Sequence, residues 1–129
     1  MALSFPDVGE NLALEMIVNK TAAQNLVLKL YTSNTTPAEG DTAGTYTEAS
    51  GSGYAAITLT GSSWGSAASG SIAYAQQTFT FTGAIGPIYG YFVVQASSGT
   101  LLYSERFAAS ETFNNNGDQL KITPTITAS

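Results

Sequence analysis

The chain opens on a helical period and then changes to a period of two. Leu12, Met16 and Ile17, with Ala13, fall on one helical face, and this spacing predicts a short amphipathic helix over Val8 to Val18. Asp7 and Glu10 match a capping box, in which the Asp carboxylate accepts from the third helical N–H while the Glu reaches back. Phe5 before the cap is placed to act as a hydrophobic staple, and Lys20 stands near the negative end of the helix dipole. Gly9 in the first turn works against the helix.

After Thr21 the chain alternates. Asn25 to Thr32 sets Leu26, Leu28 and Leu30 opposite Val27, Lys29 and Tyr31. Tyr54 to Thr60 and Thr78 to Thr82 alternate in the same way, which is the pattern of half-buried strands. Ile88 to Gln95 is apolar on both faces and reads as a central strand covered on both sides. Leu101 to Ala108 and Gln119 to Thr127 complete the set, and Pro124 demotes the latter to an edge strand or a bulged one. Ser97-Ser98-Gly99 predicts a short hairpin connection, and Asn116-Gly117 predicts a type I′ hairpin turn. Thr35 to Gly53 has little apolar content and predicts a long surface loop; Ser62 to Ser71 is a second small-residue stretch around Trp64. Ile57–Gly61 echoes Phe79–Gly83, but no longer repeat follows, which favours two ordinary strands over a duplicated half-domain.

These elements predict a mainly β fold: an antiparallel β-sandwich or roll with one short N-terminal helix. No boundary divides the 129 residues, so residues 1–129 read as a single domain, with an N-terminal segment 1–20 and a β body 21–129.

Composition narrows the chemistry. Nine acidic against four basic side chains give a net charge of −5, which opposes a phosphate backbone and argues against nucleic-acid binding. The chain has neither Cys nor His, which removes disulfides, thiolate and imidazole metal ligands, and any Ser–His–Asp or Cys–His arrangement. Met1 to Asp7 shows no basic-then-apolar secretory pattern, and the apolar runs fall well short of the roughly 20 residues that span a bilayer. Synthesis in a cytoplasm, without a membrane role, is the expectation.

Candidate sites are few. Glu39-Gly40-Asp41 and Asn114 to Asp118 supply hard oxygen ligands but lack the later positions of a calcium loop, and read as a solvated loop and a turn. A glycosidase pair would have to come from Glu39, Glu48, Glu105, Glu111 or Asp118, and nothing in the spacing selects two of them. The expectation is therefore no enzyme, no cofactor and no metal. Glu105 shares its strand face with Tyr103 and Phe107, where a carboxylate needs a partner; Lys29 or Lys121 are the candidates. The Glu105-Arg106 pair of charges reads either as an inter-subunit ion pair or as an edge-strand device against aggregation. Leu12, Met16, Ile17, Glu105 and Arg106 are the candidate interface residues. Seven Tyr, six Phe and one Trp suit core and interface packing, with a sugar-stacking platform as the alternative.

The segments Phe5-Pro6-Asp7-Val8-Gly9-Glu10, Leu26 to Thr32, Gly53 to Gly61 with Trp64, Ala73 to Phe81, Ile88-Tyr89-Gly90-Tyr91, Tyr103 to Phe107 and Gly117 to Pro124 together resemble a family of small structural proteins of tailed phages, cyanophages included. The resemblance spans nearly the whole chain, and its motifs are strand and turn motifs that carry over no catalytic residue. It implies a virion structural protein. Within that class the expectation is a capsid decoration (cement) protein on the capsid exterior, with the major capsid protein and further copies of itself as partners; the resemblance favours a trimer seated near local three-fold positions of the capsid. The alternative is a tail-associated or host-surface, glycan-binding protein in which Trp64, Tyr46 and Tyr54 touch the ligand.

Overall fold

The computed structural model describes residues 3–128; Met1 and Ala2 of the Met1–Asp7 segment, and Ser129, lie outside the described residues. The elements run β1 (Leu3–Ser4), α1 (Asp7–Ile17), β2 (Leu26–Tyr31), β3 (Ile57–Leu59), β4 (Ser71–Ala73), β5 (Gln77–Thr80), β6 (Ile85–Gln95), β7 (Leu101–Phe113), β8 (Gln119–Ile122) and β9 (Thr125–Thr127), with short 3-10 turns at Ala43–Thr45 and Gly61–Ser63. The fold is mainly β and antiparallel, with one helix near the N-terminus.

The main sheet has five strands in the order β1-β7-β6-β2-β3, and β4-β9 and β5-β8 form two separate ribbons. β6 is central, as its double-sided apolar pattern predicts, and pairs with β2 from Leu26↔Gln95 to Tyr31↔Gly90. Alternation along β2 sorts its side chains between two clusters. Leu28 and Leu30 join Tyr91 and Val93 in a core closed by Phe79, Phe81, Leu120 and Ile122 of the ribbon region. Tyr31 joins Phe92, Val94 and Leu101 in a second cluster on the other face.

That second face is covered by the segment between β2 and β3, which departs from the expectation of a surface loop. Tyr46 and Ala49 are buried, and Thr32 N–H donates to Thr47 O while Ala49 N–H donates to Leu30 O, so the segment extends the β2 edge beyond β3. Its few apolar residues are enough because Tyr46 stacks on Phe92 at 5.2 Å and lies 4.7 Å from Tyr31, burying large rings rather than many small side chains.

Three further expectations are revised. The N-cap is Pro6 rather than Asp7, and no side chain caps the helix. The Asp7 N–H donates instead to Glu39 O, and Asp7 and Glu10 act through their charge at the positive end of the dipole. At Asn116-Gly117 only Gly117 has positive φ (94°), so the turn is not type I′. It joins β7 of the main sheet to β8 of a ribbon rather than two paired strands, with Asp118 Oδ2 accepting from Asn114 and Asn115 N–H. Finally, the single run expected over Gln119 to Thr127 is two strands, parted at Thr123-Pro124, with Pro124 fully buried. The two similar segments Ile57–Gly61 and Phe79–Gly83 fall in different sheets, one in the main sheet and one in a ribbon.

Candidate assembly surface

The helix α1 is positioned by a close backbone contact. Gly9 is buried against β7, where a Cβ would overlap the Leu102 carbonyl oxygen and come within 3.2 Å of Leu101 O. The glycine that weakens the helical signal is therefore what lets α1 lie on the β7 backbone. One turn on, Leu12 is buried in the main core and Met16 is half-buried against it.

This seating leaves another stripe in the open. Leu14, Ile17 and Val18 follow one another at i, i+3 and i+4, and they are 61%, 77% and 72% exposed. Beside them an open, mostly apolar groove of about 620 Å³ runs between α1 and β9, lined by Phe5, Ala13, Leu14, Met16, Leu102 and Ile126 among others. The stripe and the groove share Leu14, so the exposed apolar side chains lie together on one side of the molecule. Of the predicted face, then, Leu12 serves the protein's own core, Met16 borders the groove and Ile17 points outward. The outward stripe is legible in the i, i+3, i+4 spacing of Leu14, Ile17 and Val18, which runs beside the face that carries Leu12 and Met16.

The other two candidate interface residues act within the chain. The Arg106 guanidinium donates to Thr35 O at 2.9 Å and to Asn34 Oδ1 at 2.7 Å, and lies over the Tyr89 ring at 5.2 Å, tying the loop after β2 to the sheet. Glu105 finds its partner in neither lysine. It stands opposite Tyr91 in the β6–β7 register and accepts from the Tyr91 hydroxyl at 3.1 Å. Lys29 pairs instead with Glu48 at 3.2 Å.

The aromatic residues proposed to touch a glycan are occupied. The Tyr46 hydroxyl donates to Asp41 Oδ2 at 2.7 Å and shares a 2.8 Å hydrogen bond with Ser104, all of them buried. The Tyr54 hydroxyl donates to Glu48 Oε2 at 2.8 Å and accepts from Leu30 N–H, and its ring stacks on Phe79. Burial pushes both hydroxyls well above the usual tyrosine range, with the neighbouring carboxylates reinforcing the shift. Trp64 is half-buried edge-on against Tyr74 at 5.2 Å. Tyr46 is buried and both hydroxyls are engaged within the chain, while Tyr54 stays half-buried with one ring face on Phe79.

Asp41 is likewise committed, holding Ala38 N–H at 2.9 Å as well as Tyr46. Among the described residues no group of three or more acidic side chains is gathered to hold a metal ion. No helix among them is long and apolar enough to cross a membrane.

Comparison with known proteins identifies a family for this chain. No curated protein and no solved structure matches it. Residues 4–127, almost the whole of it, match the family described as podophage GP4 fiber I protein gp80. The protein is thus a phage virion structural protein, and the chain belongs to the podophage GP4 fiber I protein gp80 family.

Proposed function

We propose that this protein is a non-enzymatic component of a virion fiber, held in place by self-association and by contacts with neighbouring virion proteins. The observation that carries this reading is the match to a fiber protein over residues 4–127. The exposed Leu14–Ile17–Val18 stripe, continuous with an apolar groove, supports it by supplying the contact surface that such a role needs. A closed homo-oligomer is the assembly we assign to it, with a trimer as the order that the resemblance implies. The capsid decoration role, with the major capsid protein as partner, is the competing placement, and the fiber match favours it less.

A reconstruction of the whole virion tests the proposal. The expected result is density for this fold among the tail fibers, at a copy number far below that of the major capsid protein. Density repeated over the shell lattice, at a copy number near that of the capsid protein, would overturn the fiber role and restore the decoration role. The contact surface is tested on purified protein with Leu14→Glu, Ile17→Glu and Val18→Glu together. Dissociation of the oligomer in sedimentation, with the circular dichroism of the folded chain retained, is expected; an unchanged oligomer would remove this stripe from the interface.

A further inference from the structure

Away from α1, the outer half of β7 and the strands β8 and β9 flank a cleft of about 320 Å³ lined by Tyr91, Glu105, Phe107, Lys121, Thr123 and Thr125, with Ile122. The cleft continues into a broader open groove of about 820 Å³, which shares Phe107 and Lys121 and adds Ser110, Glu111 and Gln119 along its walls. The polar groups here are only partly used. One carboxylate oxygen of Glu105 holds the Tyr91 hydroxyl, and among the described residues its Oε1 accepts nothing. Lys121 lines the same cleft yet, among the described residues, forms no ion pair. Next to Tyr91 and Glu105, the Tyr103 hydroxyl is fully buried without a hydrogen-bond partner.

We propose that this cleft and groove form a binding site for a neutral oligosaccharide. An acceptor carboxylate, an ammonium donor and two threonine hydroxyls surround a half-buried aromatic ring at Phe107, so hydroxyl groups and an apolar sugar face would both be matched. A site with a few convergent polar groups on an apolar base is the general form of a small-molecule pocket. The cleft holds about one sugar ring, and its continuation past Phe107 and Lys121 into an open groove suits a chain rather than a free monosaccharide. Charge sets the class. Glu105 and Glu111 outnumber Lys121 along the walls, and the chain carries −5 overall, so a uronate or other acidic sugar would meet net repulsion. The inference does not depend on where in the virion the protein is mounted.

The test is a titration of the full isotope-labelled chain, followed by its backbone amide resonances, with hexamers of glucose, mannose, galactose and N-acetylglucosamine, and with hexagalacturonate as the acidic probe. Saturable shifts confined to residues 105–111 and 119–125 with at least one neutral hexamer are expected. Phe107→Ala should weaken binding about tenfold through the lost ring contact. Lys121→Ala, at an exposed and unpaired side chain, should weaken it with no change in melting temperature, and carries the test if the Phe107 variant does not fold. No saturable shift with any neutral hexamer, shifts centred elsewhere, or shifts unaffected by Lys121→Ala would overturn the site. Tighter binding of hexagalacturonate than of every neutral hexamer would overturn the neutral class.

Discussion

Replacing Gly9 by Ala separates two views of why α1 sits where it does. Intrinsic propensity favours the substitution, since Ala exceeds Gly by about 1 kcal/mol in a helix interior and by less in a first turn. Packing opposes it. The new Cβ would overlap Leu102 O, lie 2.9 Å from the Leu102 carbonyl carbon and 3.2 Å from Leu101 O. Those atoms cannot yield easily, because β7 is held in the main sheet by β6, with Leu101 opposite Val94 and Tyr103 opposite Val93. The helix must therefore retreat. Overpacking of this kind costs about 1–3 kcal/mol. Retreat also loosens Leu12, which is 8% exposed, and a fully buried leucine is worth about 1.5–3 kcal/mol.

Taking part of each loss against the propensity gain leaves a net destabilisation of about 2–3 kcal/mol. For a domain of this size that is a fall in melting temperature of about 8–12 °C. Calorimetry of Gly9→Ala beside Gly40→Ala checks it, because a Cβ at Gly40 meets nothing within 4 Å and should leave the melt almost unchanged. A Gly9→Ala protein that melts at or above the parent temperature would refute the close seating of α1 on β7.

The corner at Gly117 holds φ at 94°, so Gly117→Val should destabilise by at least about 1 kcal/mol through backbone strain, even though a Cβ there meets open space; an unchanged chemical-denaturation midpoint would count against a fixed corner. Tyr46→Phe removes the hydroxyl shared by Asp41 and Ser104 and leaves buried polar atoms short of a partner, for an expected loss of about 1–3 kcal/mol in thermal melts, whereas a neutral outcome would mean water takes its place. Alkali should also weaken the fold. Burial pushes Tyr31 up to about 12, with Asp41 reinforcing and Arg106 opposing, and raises Tyr46, Tyr54, Tyr91 and Tyr103 still further. An unfolded tyrosine ionises near about 10, so this contribution is whole below that pH and is lost as pH rises toward the folded values. Phenolate absorbance should therefore rise together with the loss of circular dichroism, and full titration of every tyrosine near pH 10 with the fold intact would contradict the burial.

What the sequence made legible follows from how far each signal reaches. Period alone located α1, β2, β6 and β7, since their alternation or helical spacing is long enough to be read locally. β1 has two residues and β4 three, the latter starting on the last residue of the small-residue stretch Ser62 to Ser71, and both exist only because another strand pairs with them. The segment over Thr35 to Gly53 failed for a related reason: its cover depends on Tyr46, one ring whose partners Tyr31 and Phe92 come from two other strands. Asn116-Gly117 was rightly a turn and wrongly a hairpin, because turn chemistry fixes local dihedrals and not which strands meet beyond them.

The partner of Glu105 shows the same limit and also points to a rule this chain follows. Sequence reasoning looked for a cation, and the register supplied a hydroxyl. The choice recurs: Asp41 accepts from Tyr46, Glu48 from Tyr54 and Glu105 from Tyr91. With nine carboxylates and only four basic side chains, cations cannot satisfy every acidic group, while seven tyrosines can bring a donor from within the apolar clusters. A carboxylate that leaves water needs a donor, and a phenol supplies it while its ring remains part of the core. The low charge and the tyrosine content are therefore one feature rather than two. It couples the polar seams of the fold to tyrosine protonation and leaves Lys121, among the described residues, without an ion pair beside Glu105 in an open cleft.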